Sequence, residues 1–281
     1  MTLAVSWERT TSIGSELVFA SDSRVRQGGE WDCCPKIFRL PRSDALLAFA
    51  GDTMWAYPIA LQAIAAMHDF APSRVGYYDL RRLRSHIMET IDAMMRSGSA
   101  ATNGLHVIGF EFLFGGWCWQ ELKFRLWRLY WAPALGSMRH DPIENGHLGP
   151  VRFIGDRDYK KDSPESEVVG HAKEMLPTIL RERHGPLTPG RTLDMEPWEV
   201  LLTMLRSGEH PTIGGPPQLA KVYRSMNSTV FSVLWPDADG QPTLLGRTLL
   251  HYEKTEAPRV DPDEWSQHAP SSPTPGGTEK S

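Results

Sequence analysis

Threonine stands second in the chain, directly after Met1. A threonine hydroxyl is a weak nucleophile, but at a chain terminus it gains its own α-amine as general base. That amine titrates near about 8, so a modest downward shift leaves much of it neutral at working pH. The chemistry requires that Met1 be removed, and initiator methionine is commonly removed before small residues such as threonine. Three further segments carry polar groups at strand ends: Ala20-Ser21-Asp22-Ser23-Arg24, Pro35-Lys36-Ile37-Phe38-Arg39-Leu40 and Ala48-Phe49-Ala50-Gly51-Asp52. A carboxylate and an ammonium placed together make a charge network that assists proton transfer. Each residue also has a plainer reading. Asp22 and Arg24 fit a turn with a salt bridge, Lys36 a solvated lysine opening a strand, and Gly51 a glycine at a helix entry.

The elements that must position these groups follow from periodicity. Leu3, Val5 and Trp7 alternate with Ala4, Ser6 and Glu8, a period of two that predicts a strand. Polar Thr10–Ser15 reads as its turn, and Glu16–Ser23 as the returning strand. Arg26–Asp32 holds Gly28-Gly29 and reads as a loop; Lys36–Leu40 and Ala45–Ala50 form a second hairpin. Helices are expected over Ala56–Phe70 and Tyr78–Arg96, the second with Leu80, Leu83, Ile87 and Ile91 on one face. Leu105–Phe114 and Trp117–Trp119 read as a hairpin about Gly115-Gly116, Phe124–Trp131 as a strand, and Val151–Ile154 as a short one. Pro164–His184, Glu196–Gly208 and a brief Pro217–Tyr223 are read as helices, and Val230–Trp235 and Thr243–Tyr252 as closing strands. Hairpins with separately grouped helices argue for two antiparallel sheets covered by helices. One domain is expected over residues 1–254, followed by a disordered tail at 255–281 rich in Pro, Ser, Gly, Glu and Asp.

Composition narrows the classes. The 281 residues are 41% hydrophobic and 23% charged, ordinary for a globular chain able to bury a core. Thirty basic against 34 acidic side chains leave a net charge of −4, so no basic field draws the chain to nucleic acid or anionic lipid. Three cysteines, two of them adjacent, make no disulfide framework, and with no leader-like start they point to the cytoplasm. No apolar run approaches the roughly 20 residues needed to span a bilayer. No nucleotide fingerprint appears. The ten histidines are scattered, with His140 and His147 the only near pair, so neither cofactor nor metal is expected. The Ile213-Gly214-Gly215-Pro216-Pro217 run reads as a tight turn, or as backbone N–H groups for an anion. Trp117, Trp119, Trp127 and Trp131 read as sheet core, since aromatics favour strands, or as a binding surface.

Taken together, the series from Thr2 through Gly51 resembles the amino-terminal half of proteasome β subunits and their bacterial HslV-type and Anbu-type relatives, over about residues 2–70. These are N-terminal-nucleophile (Ntn) hydrolases. The resemblance implies an α+β fold, a four-layer αββα sandwich of two antiparallel sheets flanked by helices. It implies Thr2 as nucleophile, Asp22 as the acid that orients the lysine and the amine, and Lys36 as the ammonium beside the hydroxyl. It implies the Gly51 N–H as an oxyanion donor, Arg24 as a structural arginine beside the site, and Ser23 within the same motif. The expected reaction is hydrolysis of an amide, most simply a peptide bond, through an acyl-enzyme, in a homo-oligomeric ring or stack.

The second half departs from the pattern. Where proteasome subunits carry a Ser-Gly turn, Phe153-Ile154-Gly155-Asp156-Arg157-Asp158-Tyr159 is closer to the Ile-Gly-Glu…Tyr segment of Anbu-type proteins. Glu209 or His210 stands for the later supporting Asp, and Thr212 for its Ser. Two alternatives stay open: a catalytically inactive Ntn-like scaffold or assembly subunit, and an amidase for a small molecule whose pocket is narrowed by Trp31 or Trp55.

Overall fold

The computed structural model describes residues 2–26, 29–97, 109–144, 146, 148–155, 166–188, 190–238 and 240–267. The chain opens with the hairpin β1 (Leu3–Thr11) and β2 (Gly14–Ser21), whose turn leaves Ile13 in solvent. A small ribbon, β3 (Val25–Arg26) and β4 (Glu30–Trp31), stands where only a loop was expected. Next come β5 (Ile37–Arg39), β6 (Ala45–Gly51), α1 (Thr53–Asp69), α2 (Ala71–Arg74) and α3 (Leu80–Ser97). The Asp52 carboxylate caps α1 by accepting from the Met54 N–H at 2.9 Å.

The second half runs β7 (Phe110–Cys118), β8 (Lys123–Ala132), β9 (Ser137–Pro142) and β10 (Val151–Gly155). It continues with α4 (Glu167–His184), α5 (Glu196–Ser207), β11 (Gln218–Tyr223) and β12 (Ser228–Leu234). Last come β13 (Pro242–Leu244), β14 (Arg247–Thr248), β15 (Arg259–Val260) and α6 (Pro262–Gln267). The fold is mixed α and β, with six helices and several antiparallel pairings among the described residues. One large sheet has the order β10-β1-β2-β11-β12-β13-β14, with β15 added parallel to β12; a five-stranded sheet runs β5-β6-β7-β8-β9.

Apolar side chains gather in three clusters. Val5, Trp7, Val18 and Leu219 of the large sheet meet Val169, Leu176, Trp198 and Leu201 of α4 and α5. Phe49, Phe112, Phe114 and Trp127 of the second sheet meet Ile59, Ala63, Leu83 and Ile87 of α1 and α3. Ala4, Phe19 and Ala220 of the first sheet pack against Leu46, Ala48 and Leu113 of the second. Burial of this apolar surface is the main favourable term holding the sheets in place.

Four expectations need correction. Pro217–Tyr223 is not a helix: Gln218–Tyr223 is strand β11, inserted between β2 and β12 with both faces buried. A strand covered on both sides loses the alternation that marks strands in sequence. Gly115-Gly116 is no turn but lies within the continuous strand β7, because neighbouring backbone comes too close for side chains. A Cβ on Gly116 would sit 2.0 Å from the Asp44 carbonyl oxygen, and one on Gly115 would sit 2.8 Å from that of Arg125. The Leu105 end of that expected strand lies outside the described residues. Thr243–Tyr252 is two short strands, broken at Leu245, whose φ is 50°. Finally, regular structure does not stop at 254. The Pro258 carbonyl accepts from the Ser232 N–H at 2.9 Å and lays β15 on β12, and α6 follows; residues 268–281 lie outside the described residues.

Candidate active site

The start of β1 lies deep in the large sheet, between β10 and β2. Thr2 is 2% exposed there, and Asp22 and Lys36 are 0% exposed. Asp22 follows the last residue of β2, which brings it level with Leu3: the Asp22 N–H donates to the Leu3 carbonyl at 3.2 Å, and the Leu3 N–H donates to Asp22 Oδ1 at 3.0 Å. Lys36 comes just before β5. Its Nζ donates to Asp22 Oδ1 at 2.8 Å and to Thr2 Oγ1 at 2.9 Å. The three polar groups expected from sequence are therefore in direct contact.

The Asp22 carboxylate accepts more than the ammonium. Its Oδ2 takes the Arg24 N–H at 3.1 Å and the Gly214 N–H at 3.2 Å. Four donors thus converge on one buried carboxylate, which compensates it for the loss of water. An ammonium that donates to Thr2 Oγ1 makes that oxygen the acceptor in the bond. The hydroxyl's own proton is left for another base.

Arg24 and Ser23 brace the same corner, and among the described residues neither hydrogen-bonds to Thr2. The Arg24 guanidinium forks onto Asp32, Nε and one Nη each at 2.7 Å, and its other Nη reaches the Pro211 carbonyl at 3.0 Å. Ser23 Oγ donates to the Pro216 carbonyl in a short bond, and the Ser23 N–H donates to the Gly214 carbonyl at 2.9 Å. The loop 208–217 is thereby laid along the Asp22 segment.

Gly51 ends β6 with φ +114°, and a Cβ there would lie 2.2 Å from the Gly109 carbonyl oxygen. Only glycine fits that backbone. Gly51 lines a small cleft together with Gly155, Glu111 and Arg128. Gly155 pairs with Leu3, and a Cβ on it would come 2.9 Å from the Thr2 carbonyl oxygen, so the same glycine adjoins the Gly51 cleft and Thr2. In the wall of the cleft Glu111 holds Arg128 in a short ion pair and accepts the Gly155 N–H at 3.3 Å. Asp156–Tyr159, the rest of that expected turn, lie outside the described residues.

The second-half candidates go elsewhere. His210 Nε2 meets His171 Nδ1 at 2.7 Å, and Glu209 lies beside this pair. Among the described residues, no hydrogen bond links Glu209, His210 or Thr212 to Thr2, and the loop reaches Asp22 through the backbone of Gly214 instead. The His171–His210 contact also corrects the expectation that the histidines are scattered. Of the pair His140 and His147, the second lies outside the described residues.

Sequence reasoning missed Gln218. Its Oε1 accepts from the Lys36 N–H at 2.9 Å and the Ile37 N–H at 3.3 Å. Its Nε2 lies within bonding distance of the Cys34 carbonyl at 2.8 Å, Ser23 Oγ at 3.0 Å and the Asp22 carbonyl at 3.3 Å. One amide side chain ties the segments bearing Asp22 and Lys36 together. A polar residue opening a short apolar run was the available signal, obscured by the helical reading.

Solved structures share this architecture. Anbu (ancestral beta-subunit) from Yersinia bercovieri superposes with a TM-score of 0.55 at 17% identity, covering 81% of this chain and 86% of that one. The likeness is one of fold. An Anbu (Gly-1) mutant from Hyphomicrobium sp. strain MC1 matches with a TM-score of 0.54 at 17% identity, over 88% of this chain and 87% of that one. No protein-family profile matches the chain, and no curated protein does. The architecture is thus Anbu-like and proteasome-like. Among the described residues, no helix is long and apolar enough to cross a membrane.

Proposed function

We propose that this chain is an N-terminal-threonine amide hydrolase, acting after Met1 is removed, on a four-layer αββα Ntn scaffold. The observation that carries the reading is the buried bridge from Lys36 Nζ to Thr2 Oγ1 at 2.9 Å and to Asp22 Oδ1 at 2.8 Å. A solvated lysine or a surface salt bridge has no need of full burial beside a hydroxyl. The three apolar clusters, helix on sheet, sheet on sheet and sheet on helix, support the four layers.

In the proposed reaction the freed Thr2 amine takes the hydroxyl proton as Oγ1 attacks the substrate carbonyl. The Lys36 ammonium stabilises negative charge growing on Oγ1. Asp22 fixes that ammonium, and its bonds from the Leu3, Arg24 and Gly214 N–H groups fix Asp22. The Gly51 N–H serves the oxyanion. Collapse of the tetrahedral intermediate leaves an ester on Thr2 and sends the amine's proton to the leaving nitrogen; water then attacks the ester and releases the acid. The proposed substrate is a peptide amide, and the Anbu-like fold supports a homo-oligomeric ring or stack.

A non-catalytic scaffold is the second reading. It is favoured by Glu209 and His210, which gather with His171, and by the lack, among the described residues, of a hydrogen bond from Glu209, His210 or Thr212 to Thr2. Intact-mass analysis after exposure to a threonine-reactive epoxyketone or β-lactone separates the two. The processed chain is expected to gain one adduct, and Thr2→Ala none. A processed chain that gains no adduct moves the assignment to the scaffold, and retained Met1 excludes the enzyme.

A further inference from the structure

Beyond the Thr2 site, a second cluster of chemically capable side chains stands at the junction of α4 with the loop after α5. His171 lies early in α4, while Glu209 and His210 follow the end of α5. One ligand atom from each of the three lies within 4.8 Å of the others. The two imidazoles face each other nitrogen to nitrogen at 2.7 Å, and their ring planes are inclined by 60°. At that distance only one nitrogen carries a proton, so the other presents a bare lone pair toward its neighbour. Both histidines are half-buried and Glu209 is exposed, which leaves one side open to water.

We propose that His171, Glu209 and His210 form a site for a divalent cation of the zinc class. Two imidazoles and one carboxylate are a donor set for zinc, cobalt or nickel rather than for magnesium or calcium, which favour oxygen ligands. Three protein ligands with one open face match a four-coordinate ion that keeps a water. With zinc–nitrogen bonds of about 2.0–2.1 Å, a tetrahedral angle sets the two nitrogens about 3.3 Å apart. The two nitrogens then need to part by about 0.6 Å from their present contact, with the rings turned so that both lone pairs meet on the ion.

The local backbone is already held for this. The Glu209 N–H donates to Ser207 Oγ at 3.3 Å, and the His210 carbonyl accepts from the Ile213 N–H at 3.1 Å. A cation here ties α4 to the loop whose Pro211 carbonyl takes Arg24 and whose Gly214 N–H holds Asp22. It acts as a structural clip, distinct from the Thr2 site and independent of whether that site hydrolyses anything.

The test uses untagged full-length protein, stripped with chelator and titrated with Zn²⁺ by calorimetry and with Co²⁺ by visible absorption. Expected results are one equivalent of Zn²⁺ bound, a Co²⁺ spectrum without a thiolate charge-transfer band, and no displacement by excess Mg²⁺. The exposed change Glu209→Gln is expected to weaken zinc at least about tenfold. His171→Asn and His210→Gln are expected to abolish one-to-one binding while the circular dichroism spectrum persists. Cys33→Ser/Cys34→Ser is expected to bind as before. Absence of stoichiometric zinc, binding indifferent to all three ligand changes, or loss of binding in the cysteine variant overturns the proposal.

Discussion

The bridge from Lys36 to Asp22 makes an asymmetric prediction. Removing the acid by Asp22→Ala strands an ammonium that is wholly buried, with Thr2 Oγ1 as its remaining hydrogen-bond partner among the described residues. It also removes the acceptor from the Leu3, Arg24 and Gly214 N–H groups. Breaking a buried pair in this way costs about 3–5 kcal/mol. At roughly 2 °C per kcal/mol for a chain of this size, the melting midpoint falls by about 6–10 °C. Removing the ammonium by Lys36→Met keeps the stem's volume and leaves Asp22 with three backbone donors. That change costs about 1.5–3 kcal/mol, the worth of one hydrogen bond to a charged group. The double variant has no stranded charge, so it falls between the two singles. Urea unfolding at one fixed protein concentration measures all three. Equal losses for the two singles, or a double variant that loses their sum, refutes the account of Asp22 as the better-supported partner.

Three other outcomes follow from the same geometry. Gly51→Ala puts a Cβ 2.2 Å from the Gly109 carbonyl at φ +114°, and is expected to cost roughly 2–5 kcal/mol in thermal or chemical unfolding. Gln218→Leu preserves volume but strips partners from the Lys36 and Ile37 N–H groups and the Cys34 carbonyl. A loss of at least about 3 kcal/mol is expected, and a loss below about 1 kcal/mol contradicts the brace. Hydrogen bonds from Arg247 and from the Leu250 N–H draw the Glu253 carboxyl down from 4.5 to about 2. A depressed folded-state value means that its contribution is present above 4.5 and lost as pH falls through about 2. A carboxyl NMR titration is expected to show that low midpoint, moving toward 4.5 in Arg247→Gln and in high salt.

Much of the site was legible because its parts are short-range in sequence. Strand β1 alternates cleanly, and Asp22 and Lys36 each adjoin a strand end whose register is set by the β1–β2 and β5–β6 hairpins. What failed was long-range. Gln218 contacts Lys36 across 182 residues, and nothing in a six-residue run buried on both faces announces a strand. Gly115 and Gly116 look like a turn because close backbone approach and tight turning select the same residue. His171 and His210 are 39 positions apart, and only the packing of α4 beside the loop after α5 makes them neighbours. Ile213–Pro217 was read as a turn or an anion nest, and its Gly214 N–H goes to the protein's own Asp22 carboxylate.

The Gln218 brace also bears on the order of folding. Contacts 182 to 196 residues apart set the positions of Asp22 and Lys36. Such separations carry a large loop-closure entropy and form late. A chain cut before β11 has every residue from Thr2 to Gly51 and still lacks the strand that lies between β2 and β12. The arrangement of Thr2, Lys36 and Asp22 is therefore a property of the completed sheet. During refolding it is expected to appear with the slowest phase, after the β1–β2 hairpin has formed.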